Sequence, residues 1–274
     1  MQMKLSIVLS TQPAQFQAAT FMGDLETNLA RIASLGYDGV ELAIRDPRLI
    51  DLDDLDRLVH KYNLIVPAIG TGQAWGEEGL SFTDPDPAIR RAAIERIKSH
   101  VPVAARFKAE RPAVIIIGLV RGIVKPGVDH TQAMDWLIEA LRECSLAAAP
   151  FGIRLALEPI NRYETTLINN VAQGLDLIER VGADNFGLLL DTFHMNIEEP
   201  SLEDSIRLAG DHIFHFHVAD SNRWYPGAGH LDFKSVLKAL FATGYAGFVS
   251  GEFMPMPDAT TGAQKAIEYL RAVK

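Results

Sequence analysis

Ile153-Arg154-Leu155-Ala156-Leu157-Glu158, Gly187-Leu188-Leu189-Leu190-Asp191, Ile213-Phe214-His215-Phe216-His217-Val218 and Gly247-Phe248-Val249-Ser250-Gly251-Glu252 share one form. Each is a short apolar or β-branched run that stops at, or within one residue of, an acid or an imidazole. Runs of this length, apolar on both faces, read as strands covered on both sides, which is the habit of parallel sheets. Upstream lie four more: Leu5 to Leu9, Gly39 to Ile44, Ile65 to Ile69 and Ala113 to Ile117. Between the runs the period changes to that of a helix. Leu25, Leu29, Ile32 and Leu35 make one stripe, and Val171, Leu175 and Ile178 another within Leu167 to Val181. Asp24 is placed to cap the first of these helices and Gly36 to end it, while Asp51 and Asp53 enrich the first turn before Leu55.

Eight βα units with right-handed crossovers close most naturally into a (β/α)8 TIM barrel. An open doubly wound sheet is the alternative, but Ser10-Thr11-Gln12-Pro13 stands after the first strand where a glycine-rich phosphate loop would be needed. The 274 residues carry 48 % hydrophobic and 22 % charged residues without a linker-like break, so residues 1–274 read as one barrel domain. Gly70 to Pro87, with Trp75 and Phe82, reads as a long loop that forms a lid or pocket wall.

The net charge of −9 has no compensating basic patch, which disfavours nucleic acid as a partner. The single cysteine, Cys144, lies in a helical stretch and allows neither a disulfide framework nor a cysteine-based zinc site. Met1 to Thr11 alternates like a strand instead of forming the apolar run of a signal peptide, and no later segment is long and apolar enough to span a membrane. A cytoplasmic protein is the expectation. The exterior of a barrel can support a homo-oligomer, and nothing in the sequence selects one.

Active sites of such barrels lie at the C-terminal ends of the strands, where Glu158, Asp191, His217 and Glu252 fall. A single strand-end acid is as readily a helix cap or a salt-bridged rim residue. Three carboxylates converging on an apolar barrel would repel one another and resist desolvation, and a divalent cation resolves both difficulties. The oxygen-rich set suits Mn²⁺ first, with Co²⁺ or Mg²⁺ as alternatives.

The surrounding words carry a resemblance. Leu190-Asp191-Thr192-Phe193-His194-Met195-Asn196-Ile197-Glu198-Glu199, Glu158-Pro159-Ile160-Asn161-Arg162-Tyr163-Glu164 and His215-Phe216-His217-Val218-Ala219-Asp220-Ser221-Asn222-Arg223 resemble motifs of the xylose isomerase-like TIM barrels, and among them of the ketose 3-epimerases. So do Glu41-Leu42-Ala43-Ile44-Arg45-Asp46-Pro47 and Ile69-Gly70-Thr71-Gly72-Gln73-Ala74. With Lys4-Leu5-Ser6 and Ile116-Ile117-Gly118-Leu119-Val120-Arg121-Gly122, the wording is most similar to the 5-keto-L-gluconate epimerase branch. Its members interconvert that acid with D-tagaturonate in inositol catabolism.

The resemblance implies that Glu158, Asp191, His217 and Glu252 bind the metal and that Glu158 and Glu252 also exchange protons with the substrate through an enediolate. It implies that His194 and Arg223 hold substrate oxygens, and that Glu164 orients the surroundings of Glu158. Arg45 or Arg121, after the second and fourth strands, could pair with a substrate carboxylate, although a rim salt bridge is the plainer reading for either. Gln73 is a candidate for a substrate hydroxyl, and Trp75 and Trp224 for covering a sugar face. His215 reads as a core histidine one layer below His217, and His60, His100, His130, His212 and His230 as surface residues. The rival functions are an aldose-ketose isomerase on the same scaffold, a DNA-repair endonuclease of the related barrel type, and a sugar-binding protein without catalysis.

Overall fold

Strand alternation and helix capping account for most of the architecture in the computed structural model, which describes residues 3–15, 17–107, 110 and 112–273. The barrel strands are β1 (Lys4–Ser10), β2 (Glu41–Ala43), β3 (Ala68–Gly70), β4 (Val114–Ile117), β5 (Leu155–Leu157), β6 (Phe186–Asp191), β7 (Ile213–Val218) and β8 (Phe248–Gly251). Each pairs in parallel with the next, and β1 pairs with β8 to close the ring. One further strand, Phe21–Met22, pairs with the end of β1 and was not expected from the sequence. Two residues carry too little periodicity to announce a strand.

Alternation along the strands sorts side chains to two sides. Ile115, Ile117, Leu155, Leu157, Leu188 and Leu190 join the large apolar layer shared with the helices. Their neighbours Ala68, Val114, Ile116, Ala156 and Leu189 form a separate cluster, the barrel interior. Two residues beyond Ala156 comes Glu158, and two beyond Leu189 comes Asp191, so the period of a strand delivers both acids to the interior side at the top of the ring.

A register shift between Leu188 and Leu189 makes Phe214 an extra residue on β7. It sets His215 opposite Leu189 and His217 opposite Asp191, which turns both imidazoles inward. Gly187 is the space this bulge needs, because a Cβ there would lie 2.7 Å from the Phe214 ring and 2.7 Å from the carbonyl oxygen of His212.

Helices cover the outside. Asp24 caps Leu25–Ser34 by accepting from the amide of Thr27, and Asp51 caps Leu52–Lys61 through Asp54. The helix expected from Leu167 begins at Val171, where Asn170 caps it by accepting from the Gln173 amide. Cys144 is buried in His130–Ala148, and burial pushes its thiol up to about 12. The segment 70–87 is not all loop: Gln73–Glu78 is a short helix and Phe82 is buried. Among the described residues no helix is long and apolar enough to cross a membrane.

Candidate active site

Glu158, Asp191, His217 and Glu252 meet at the top of the barrel, each offering a ligand atom within 4.8 Å of the others. Asp191 and His217 are register partners across β6 and β7. His217 is likewise opposite Ser250, and Glu252 continues the Ser250 face one step above. Asp191 and His217 are almost fully buried, Glu158 nearly so, and Glu252 is the most open of the four.

The electrostatics of this group are unbalanced. Burial, then the neighbouring Glu252 carboxylate, raises Glu158 well above the ordinary carboxylate range, and burial raises Asp191 to about 7 despite the nearby His217. Glu158 Oε1, Asp191 Oδ2 and His217 Nδ1 are buried without a hydrogen-bond partner. Leaving three such atoms unmatched is costly, whereas a divalent cation satisfies all of them together. The residues present therefore fit the metal that the sequence suggests.

His217 is prepared for that role from behind. Glu41, on β2, accepts from His217 Nε2 at 3.0 Å and from His215 Nε2 at 2.7 Å. Burial alone would raise the Glu41 carboxyl, but His217 and His215 outweigh it and hold it well below the ordinary range. Burial opposes a charged ring, yet the Glu41 and Glu252 carboxylates raise His217 well above its usual range. With a cation at Nδ1 the ring would keep only the Nε2 proton committed to Glu41 and turn its Nδ1 lone pair to the cluster. Glu41, His215 and His217 are also close enough to hold a metal, yet they already satisfy one another directly, so this trio supports the cluster above it. Glu41 received no role from the sequence. The available signal was an acid inside an otherwise apolar strand, together with two inward histidines in need of an acceptor.

A second chain of contacts orders the polar rim. Asn161 Oδ1 accepts from the Tyr163 amide, which fixes the orientation of the side-chain amide. Its Nδ2 then donates to Glu164 Oε1 at 2.9 Å and to His194 Nδ1 at 2.7 Å. Burial and the nearby Arg223 hold His194 well below its usual range, so the ring is neutral and its proton sits on Nε2, 3.6 Å from Glu158 Oε1. Glu164 Oε1 also accepts from Arg223 Nη1 at 2.9 Å, and the Arg223 guanidinium lies 4.8 Å from the centre of the Phe193 ring. Glu164 thus reaches Glu158 indirectly, through Asn161 and His194. Asn161 was missed because an asparagine inside a motif is equally a turn residue.

Glu158, Glu164, His194, His217, Arg223 and Glu252 line a cavity of about 250 Å³, whose other walls include Gln15, Gly70, Gly72, Gln73, Trp75 and Glu77. Gln73 lies in the wall, but its Nε2 donates to Ser10 Oγ. Trp75 borders the cavity and Trp224 does not. Arg45 is likewise outside it: its guanidinium donates to the Pro13 carbonyl and pairs with Glu78 at 3.4 Å, as a rim salt bridge. Arg121 is fully buried and spends its donors on the carbonyls of Gly118, Ile168 and Glu158, clamping the chain behind Glu158. Neither arginine borders the cavity in this structure: Arg45 takes the rim salt bridge that was its plainer reading, and Arg121 is held by backbone carbonyls. His100 is corrected: it faces the barrel, fully buried, with its ring between the carbonyls of Arg96 and Ile44.

Comparison with known proteins gives a consistent picture. The profile of the xylose isomerase-like TIM barrel family matches residues 29–273. An L-ribulose 3-epimerase of Mesorhizobium japonicum is 34% identical over 238 residues, 86% of this chain and 78% of that protein. A D-psicose 3-epimerase of Ruminiclostridium cellulolyticum is 30% identical over 88% of this chain and 82% of its own. The crystal structure of a D-allulose 3-epimerase from Methylomonas sp. superposes with a TM-score of 0.84 at 26% identity, covering 100% of this chain and 98% of the other. With the closed parallel ring, the strand-end acids and these relatives in agreement, the chain belongs to the xylose isomerase-like TIM barrel family, as a carbohydrate epimerase of the ketose 3-epimerase type.

Proposed function

We propose that this enzyme inverts the carbon beside the ketone of a small ketose or keto-sugar acid by proton exchange between two glutamates, Glu158 and Glu252. The observation that carries the reading is the convergence of Glu158 Oε1, Asp191 Oδ2 and His217 Nδ1, all buried without a hydrogen bond, with the Glu252 carboxylate on the same centre. A divalent cation held there, Mn²⁺ in the first instance, supplies the Lewis acidity that makes a hydrogen beside a ketone removable at neutral pH.

The chain's own groups do the rest. Glu158 and Glu252 follow the first and last strands of the arc β5 to β8, and in this reading one takes the proton from one face of the substrate and the other returns a proton to the opposite face. His194 donates from Nε2 to a substrate oxygen. Arg223, anchored on Glu164 and over Phe193, supplies fixed positive charge beside the oxygens that gain electron density. Gln73 and Trp75 bound the far part of the cavity.

The charge of the wall bears on the substrate. Arg223 is the one arginine or lysine among the described lining residues, and it is paired with Glu164, while Glu77 adds a carboxylate. This favours a neutral ketose, such as the sugars named for its relatives. The flanking sequence words favour the 5-keto-L-gluconate and D-tagaturonate pair, for which Arg223 would be the carboxylate anchor. Comparing kcat/KM on a keto-uronate and on neutral ketoses decides between them. The Cys144 thiol and the absence of a spanning helix among the described residues fit a cytoplasmic setting.

Turnover of the Mn²⁺-loaded enzyme in deuterated water tests the mechanism. Deuterium at the inverted carbon is the expected result. Retention of the original hydrogen, with an aldose as product, would assign a hydride-shift isomerase instead.

A further inference from the structure

Arg223 stands in the left-handed backbone region, at φ 61, where a long side chain is strained. What holds it there is Asp220. This carboxylate is completely buried after the end of β7, and no charged side chain pairs with it among its hydrogen bonds. Its Oδ1 accepts from the amides of Ser221 at 2.7 Å and Leu231 at 3.2 Å, and its Oδ2 from the amide of Gly227 at 2.8 Å. Asp220 therefore ties the beginning, middle and end of the segment 220–231 to one point.

The backbone closes the same turn. The Arg223 amide donates to the Asp220 carbonyl at 2.8 Å, and the Asp220 amide donates to the Trp224 carbonyl at 2.9 Å. On its other side, the Arg223 carbonyl accepts from the Met254 amide at 2.8 Å, two residues beyond Glu252. Gly229 has no room for a side chain, since a Cβ there would lie 2.2 Å from Asp220 Oδ1.

We infer that Asp220 is a positioning residue for the epimerisation: by gathering three backbone amides it imposes the turn that carries the Arg223 guanidinium into the cavity and joins it to the Glu252 segment. The inference rests on the reading above, in which Arg223 holds the substrate. An asparagine keeps the shape of Asp220 but offers one acceptor oxygen where two are used.

A double-mutant cycle of Asp220→Asn and Arg223→Ala, with kcat and KM measured on the best ketose of the panel and thermal melting on each variant, tests it. Asp220→Asn is expected to lower kcat/KM by about 10²-fold, the order of loss when a catalytic group is displaced by an ångström. In the Arg223→Ala background the same substitution should change kcat/KM by less than about twofold. Equal losses in both backgrounds, or full activity of folded Asp220→Asn beside an impaired Arg223→Ala, would overturn the role of Asp220 and leave that of Arg223 standing. An unimpaired Arg223→Ala would remove both. Should Asp220→Asn fail to fold, Gly229→Ala, which presses on the same carboxylate oxygen, takes its place in the cycle with the same expected and opposing outcomes.

Discussion

The two halves of the barrel are built alike and used differently. Strands β5 to β8 end in, or lead directly to, Glu158, Asp191, His217 and Glu252, which share one centre. Strands β1 to β4 bring no ligand to that centre. Their ends supply small residues, Ala43, Gly70 and Gly118, that leave the cavity open, and one acid, Glu41, that lines it while its carboxylate accepts from His217. One half thus carries the charge that the chemistry uses, and the other carries shape and support.

The contrast breaks most readily at the glutamates. Glu158→Gln and Glu252→Gln should each lower kcat by about 10⁴-fold, the upper end of what a general acid or base contributes. Wild-type turnover in either would move the chemistry out of the second half. Glu41 probes the supporting half: Glu41→Gln should weaken metal binding by about 10- to 100-fold, as loss of an outer partner of a ligating histidine does. Calorimetric titration of the metal-free protein with Mn²⁺ measures this, and unchanged affinity would show that His217 needs no support from β2.

Legibility in the sequence follows the same division. The eight strands could be found because each is a short apolar run between helical periods, and the four residues that meet at the barrel top because each stands at or near the end of such a run. Glu41 and Asn161 were not assigned, since a residue that acts on another residue leaves no mark in its own spacing. The arginines misled for a related reason. Arg121 follows β4 as a substrate-binding arginine would, and only the fold shows its donors taken up by the backbone carbonyls of Gly118, Glu158, Leu167 and Ile168. His100 looked like a surface residue because a polar side chain in a long helix usually is one. The helix Pro87–Arg106 turns it against the end of β2.

A smaller effect sharpens how the fold aims the ligands. In Gly187→Ala the new methyl would press on Phe214, the extra residue of the β7 bulge. Overpacking of this kind costs about 1–3 kcal/mol. Because the bulge turns His215 and His217 inward, metal affinity should fall along with the melting temperature. A loss of stability with full metal affinity would mean that the bulge is a packing solution alone.

The smallest effect is expected at Arg45, and it tests whether the first half contributes charge to substrate binding at all. Its guanidinium is committed to Pro13 and Glu78 on the rim and does not border the cavity. Arg45→Ala should therefore change stability by no more than about 0.5 kcal/mol, the usual range for a surface substitution. The ratio of kcat/KM between a keto-uronate and a neutral ketose should not change, because neither the cavity wall nor Arg223 is altered. A selective loss on the keto-uronate would mean that the rim pair with Glu78 opens when substrate binds. The first half of the barrel would then supply charge as well as shape.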